Sequence, residues 1–230
     1  MPNINPLKGL SRAGAVNRTS IAYDFLKNAI FTNELKPGDH LSENQVAQSL
    51  DMSRTPIREA LKVLASEGLV EIHNGVGIFV RQVTTKELSD LFQVRAALEC
   101  EALHSSLETI TDGEIDGIIA QWMKQRKKIQ PGQKPDLDPV LMLDKELHSL
   151  LVERCSNDFL KAVIDGIQTK IMRYRRLSAL ALNDVAGIID QHLEILGCMK
   201  QRNVEILSKM LREHIWKAAN NIIRNPNWVI

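Results

Sequence analysis

Apolar residues follow two different rhythms along this chain, and the change comes near Arg81. Ile21, Ala22, Phe25, Leu26, Ala29 and Ile30 recur at helical spacing and predict a first helix capped by Thr19 or Ser20. Lys36-Pro37-Gly38-Asp39 carries the turn chemistry that ends it. Ser42 and Gln45 read as a capping box opening a short second helix that ends near Asp51. Ser53 caps a third helix, whose inner stripe is Ile57, Ala60, Leu61, Leu64 and Ala65. Gly68 stands where that helix needs a left-handed residue to stop. Leu69, Val70 and Ile72 then face Val76, Ile78, Phe79 and Val80 across Asn74-Gly75, a two-residue hairpin signal. Helices joined by a short turn and followed by a hairpin predict a winged helix-turn-helix.

Beyond a connector at Gln82 to Thr84 the alternating pattern is gone. Helical spacing predicts six helices, at Thr85–Leu107, Asp112–Ile129, Pro139–Cys155, Asn157–Leu182, Val185–Gln201 and Val204–Arg224. Three prolines break the stretch from Gln130 to Pro139. The predicted fold class is mainly α, an N-terminal winged helix-turn-helix plus a C-terminal all-α antiparallel helical bundle. Residues 1–18 read as a flexible arm, 19–81 as the winged helix and 85–226 as the helical domain.

Composition narrows the setting without naming a function. Hydrophobic content of 44% and charged content of 25% belong to an ordinary globular chain. No apolar run reaches the ~18 residues of a membrane span. Met1 to Leu10 lacks the basic start and apolar stretch of a secretory signal, so a cytoplasmic chain is expected. Cys100, Cys155 and Cys198 are odd in number and show no C-x-x-C spacing, which reads as reduced thiols. Net charge is +1, and Met1 to Val80 holds eight Lys/Arg against eight Asp/Glu. Any field for nucleic acid must therefore come from where charges sit. Lys8, Arg12 and Arg18 lie in an acid-free arm that could touch phosphates, although a disordered tail is the plainer reading.

Arg54, Arg58 and Lys62 provide such a placement, spaced i, i+4, i+8 on the outer face of the third helix. A recognition helix presents its N-terminal residues to base edges, and Arg matches guanine O6 and N7. Ser53 and Thr55 add hydroxyls suited to phosphate. A solvated face with Glu59 or Glu67 in compensation is the alternative. The segments Leu35-Lys36-Pro37-Gly38-Asp39, Leu41-Ser42-Glu43, Ser53-Arg54-Thr55-Pro56-Ile57-Arg58-Glu59-Ala60-Leu61 and Glu67-Gly68-Leu69-Val70 resemble the GntR family of bacterial regulators. The resemblance implies DNA contacts by Arg54, Thr55 and Arg58 from the recognition helix and by His73 and Gly75 from the wing tip. Asn44 departs from the Arg that members often carry after the Glu of the second helix, so one contact is expected to be weaker or replaced.

In the C-terminal half four polar residues interrupt apolar stripes, a costly placement unless they find partners. Asp144 and His148 lie i, i+4 in line with Val140, Leu147 and Leu151. His192 interrupts Ile188, Ile189, Ile195, Leu196 and Met199, and His214 interrupts Leu207, Met210, Leu211, Ala218 and Ile222. Imidazole and carboxylate are ligands for zinc, nickel, manganese or iron. A buried Asp144–His148 hydrogen bond with two unrelated core histidines is the alternative. Asp144-x-x-x-His148, His192 and His214-Ile215, with Arg95 and Glu99, resemble the FCD ligand-binding domain of the FadR subfamily. That resemblance implies a divalent metal on Asp144, His148, His192 and His214, zinc first, with nickel or manganese as alternatives.

Arg95 shares the inward face of Leu88, Leu91, Phe92 and Ala102, where a guanidinium needs an anion. A small carboxylate effector and the neighbouring Glu99 both meet that need. The expected function is a ligand-responsive, homodimeric transcription regulator on palindromic operator DNA that controls a nearby metabolic operon. Arg173, Arg175 and Arg176 read as a solvated or dimer-facing cluster. The rival reading is a metal-dependent hydrolase of an all-helical fold. No His-Asp dipeptide is present, and Glu146 and Glu194 should point away from the histidines, so no enzyme is expected. A structural zinc site without effector is the third reading.

Overall fold

A computed structural model describes residues 18–130, 135–182 and 184–224. Lys8 and Arg12 of the expected arm, and part of the proline-rich stretch, lie outside the described residues. The described residues divide into two compact units, 18–83 and 84–224.

In the first unit, helix α1 (Arg18–Phe31) buries Ala22, Phe25, Leu26, Ala29 and Ile30. The following turn is closed by Asp39, whose carboxylate accepts from the Lys36 amide at 2.8 Å. A two-residue strand β1 (His40–Leu41) comes next, then α2 (Glu43–Ser49). The Ser42 hydroxyl caps α2, accepting from the Gln45 amide at 3.4 Å. Helix α3 (Arg54–Ser66) turns Ile57, Ala60, Leu61 and Leu64 fully inward against the stripe of α1. Ser53 stands at its N-cap without a side-chain cap bond. Gly68 ends it at φ +70°, with the Leu69 amide bonded back to the Leu64 carbonyl at 2.9 Å.

Strands β2 (Val70–His73) and β3 (Gly77–Val80) form an antiparallel wing, and β1 pairs on the other side of β3, giving the order β1-β3-β2. The wing turn differs from the two-residue expectation. His73 pairs with Gly77, so Asn74, Gly75 and Val76 make the loop. Only Gly75 of the Asn74-Gly75 pair has positive φ, so the turn is not the mirror type that matches strand twist. One more residue is needed to close it. Val76, apolar in sequence, stands 72% exposed at the tip.

The second unit is a bundle of six helices among the described residues: α4 (Thr85–Thr109), α5 (Asp112–Arg126), α6 (Asp138–Glu153), α7 (Asp158–Leu182), α8 (Val185–Met199) and α9 (Val204–Ile223). Several of their starts are set by polar side chains that satisfy open amides. Thr84 caps α4, a Thr111–Glu114 capping box opens α5, and Asp184 and Asn203 cap α8 and α9. Helix α4 packs along α9, α7 also lies on α9, and α5 lies on α8. No helix among the described residues is long and apolar enough to cross a membrane.

Candidate functional site

Two groups of residues carry the chemistry, one in each unit. On the first, burying the inner stripe of α3 leaves Arg54, Thr55, Arg58, Glu59 and Lys62 exposed. His73 and Gly75 are exposed on the wing. Arg58 is held by an acid from another helix: its Nε and Nη2 donate to Glu43 Oε1 and Oε2 at 3.1 and 2.8 Å. This fork-on-carboxylate pairing raises the Arg58 pKa and lowers that of Glu43, in each case chiefly through the hydrogen bonds. The compensation expected from Glu67 goes elsewhere, because Glu67 takes Tyr23 and Lys27 of α1, while Glu59 pairs with Lys62. His73 lies 3.3 Å from Glu71 on the same strand.

In the second unit, Asp144 and His148 from α6, His192 from α8 and His214 from α9 each offer one ligand atom, and those atoms lie within 4.8 Å of one another. Asp144, His148 and His192 are buried, and His214 is partly buried. The convergence follows from helical periodicity: each residue occupies an inward position on its own stripe, between apolar neighbours that fix the helix against the bundle. Trp122 of α5, fully buried, lies flat on His192 with ring centroids 4.3 Å apart.

The hydrogen bonds leave lone pairs pointing inward. His192 Nδ1 donates to the Ile188 carbonyl at 2.7 Å, so in the neutral ring Nε2 is an acceptor. That Nε2 faces Asp144 Oδ1, another acceptor, at 2.8 Å. Two such atoms need a positive particle between them, a proton or a metal ion. His148 Nε2 and His214 Nδ1 are buried with no hydrogen-bond partner. Orphaned imidazole nitrogens beside a carboxylate form a donor set that fits a divalent ion.

Electrostatics prepare the same states. Burial opposes the charge on Asp144, but Arg175 and His148 outweigh it and hold the carboxyl well below its usual range. Burial pushes the His148 pKa down to about 4, with Arg175 and Arg95 adding to the shift against the opposing pull of Glu99. Burial and the neighbouring His192 and His148 likewise push His214 well down. A charged carboxylate and neutral imidazoles are the protonation states a metal ion requires.

Two guanidiniums reach this cluster. Arg95 is 1% exposed, and its Nε donates to Glu99 Oε1 at 2.7 Å, with Nη2 3.1 Å from His148 Nδ1. The Glu99 partnership weighed from sequence is therefore made. Arg175 corrects an expectation: it is neither solvated nor on an outer face but 7% exposed, with Nε 2.9 Å from Asp144 Oδ2. Arg173 is buried too, whereas Arg176 pairs with Asp138 at the start of α6. Ile171, Arg175 and Ser178 share one inward stripe, a signal obscured by the surrounding run of basic residues. Arg95, Asp144, Arg175, His192 and His214 line a cavity of about 40 Å³.

Glu99 is the residue whose role sequence reasoning left incomplete. It is 2% exposed and reaches His148 Nδ1 at 2.5 Å as well as Arg95. Glu146 and Glu194 are exposed, away from the histidines.

Comparison with known proteins agrees with these two halves. The family described as bacterial regulatory proteins, gntR family, matches residues 11–80, and the FCD domain matches residues 90–216. A Streptomyces ambofaciens protein named as an HTH-type transcriptional regulator in an unstable DNA locus is 31% identical, across 92% of this chain and 87% of its own. The Nta operon transcriptional regulator of Aminobacter aminovorans is 29% identical over 82% of this chain and 86% of its own. In fold, a crystal structure of a GntR regulator from Rhodococcus sp. RHA1 superposes with a TM-score of 0.69 at 21% identity, covering 90% of this chain and 98% of its own. With a winged helix matched to one family and a helical bundle matched to the other, the chain belongs to the GntR family of bacterial transcriptional regulators, in the form that carries an FCD domain.

Proposed function

We propose that this regulator binds palindromic operator DNA as a homodimer and responds to a small carboxylate through a metal centre in its helical unit. The observation that carries the sensing half is the convergence of Asp144, His148, His192 and His214, with two of their nitrogens buried and unpartnered. These four residues would hold a divalent ion, zinc first, with nickel or manganese as alternatives. Such an ion supplies a fixed positive centre with coordination positions open to a carboxylate.

The chain's own residues do the rest. Arg95, set beside the cluster, would offer guanidinium nitrogens to the effector's carboxylate. The cavity of about 40 Å³ suits water-sized occupants, so anything larger must part the helices that line it. Those helices are α4, α6, α7, α8 and α9, and α4 begins one residue after the chain leaves the first unit. Ligand that binds one arrangement of these helices better than another would thereby shift the spacing of two winged helices, the quantity a palindrome reads. At the DNA, Arg54, Thr55 and Arg58 of α3 would enter the major groove, with His73 and Gly75 at the wing tip. The operon-regulator name of the Aminobacter relative supports control of an operon.

The reading is tested by thermal-shift screening of small carboxylic acids on the full chain, with and without chelator. An acid that raises the melting temperature only while metal is present supports it. A melting temperature lowered by chelator but raised by no acid would leave a structural metal site, and insensitivity to both would remove the sensing function altogether.

A further inference from the structure

Glu99 touches the metal cluster without belonging to it. It sits on α4, while the candidate ligands come from α6, α8 and α9, and its carboxylate meets His148 on the nitrogen opposite the cluster. We infer that Glu99 is a positioning residue for the metal centre: it fixes His148 in the Nδ1–H tautomer so that Nε2 is presented to the ion. This rests on the metal reading above and goes beyond it by assigning a residue that binds no ion.

His148 Nδ1 lies 3.1 Å from Arg95 Nη2, which only donates, and 2.5 Å from Glu99 Oε2, which as an ionised carboxylate only accepts; the shorter contact to Glu99 is the hydrogen bond, so its proton belongs to Nδ1. The lone pair of the ring then lies on Nε2, the buried nitrogen with no hydrogen-bond partner, 3.7 Å from Asp144 Oδ1. Carboxylates that orient metal-bound histidines in this way commonly strengthen metal affinity 10- to 100-fold. His192 obtains the same service from the Ile188 carbonyl. Glu99 is itself held still: Arg95 Nε donates to its other oxygen at 2.7 Å, and Arg175 Nη2 lies 3.7 Å from that oxygen. A glutamine at this position offers one acceptor oxygen where Arg95 and His148 each need one. Its amide would donate to Nδ1, moving the ring proton to Nε2 and closing that nitrogen to metal.

The test compares zinc affinity of the full-length wild type and Glu99→Gln by competition with a chelating indicator. Histidine ¹⁵N NMR of the metal-free wild type reads the tautomer in parallel. Expected are an Nδ1–H signal for His148 and a loss of zinc affinity in E99Q of roughly 10- to 100-fold. An Nε2–H tautomer in the wild type overturns the assignment even if E99Q does not fold. Equal affinity in wild type and E99Q overturns it while leaving the metal site standing. A wild type that binds no zinc overturns both.

Discussion

Arg175 forms an ion pair with the Asp144 oxygen that does not face His192, its Nε 2.9 Å from Oδ2 while Oδ1 lies 2.8 Å from His192 Nε2. One oxygen is thus neutralised by a fixed cation and the other is left for the cluster. Breaking a buried pair by removing one partner leaves an uncompensated charge and costs roughly 3–5 kcal/mol. Arg175→Leu should lower the stability of the metal-free protein by an amount of that order, measured by urea unfolding at neutral pH. A change within the error of the measurement would mean that Asp144 does not depend on Arg175.

Trp122, stacked on His192, makes the centre optically visible. In a W216F/W228F background, Cu²⁺ or Ni²⁺ should quench Trp122 emission until one equivalent is bound. The same titration of a chain also carrying His192→Ala should show no saturable quenching at that stoichiometry. Identical curves would place the ion elsewhere.

The metal-free protein should lose stability in mild acid. His148, with its pKa lowered from 6.5 to about 4, takes up a proton in the unfolded chain before it does so in the folded one. Stability from this group is therefore full above pH 6.5 and falls as pH drops toward 4, by roughly 3 kcal/mol over the whole window. His214, also pushed down, acts in the same direction. Chemical unfolding of the metal-free chain at several pH values checks this, and a flat profile between pH 6.5 and 5 would contradict the burial of neutral imidazoles.

On α3, Arg58 is exposed and its fork is already aligned by Glu43. Arg58→Ala should weaken operator binding by roughly one to two orders of magnitude, the loss expected for a base-reading guanidinium. Exposed ion pairs contribute little to folding, so the melting temperature should barely move. Operator affinity equal to wild type in a gel-shift titration would reject the recognition role.

What could be read from sequence was set by periodicity. The stripe Ile57, Ala60, Leu61 and Leu64 oriented α3, and the inward placement of Asp144, His148, His192 and His214 followed from apolar neighbours at helical spacing. Strand β1 escaped because His40–Leu41 is too short to alternate. The wing loop was read one residue short because turn type depends on φ at Asn74, which residue identity does not determine. Three arginines in four positions, Arg173, Arg175 and Arg176, hide in sequence which of them lie inward. The Glu99–His148 contact joins two helices 49 positions apart, and no local spacing encodes it.

The central claim is that one metal ion is held jointly by the Asp144 carboxylate and three imidazoles. Elemental analysis of full-length protein after zinc loading and gel filtration tests it most directly. About one zinc per chain is expected for the wild type and for His104→Ala, and close to none for His192→Ala. Equal zinc in His192→Ala and the wild type, with both folded by circular dichroism, would contradict the account.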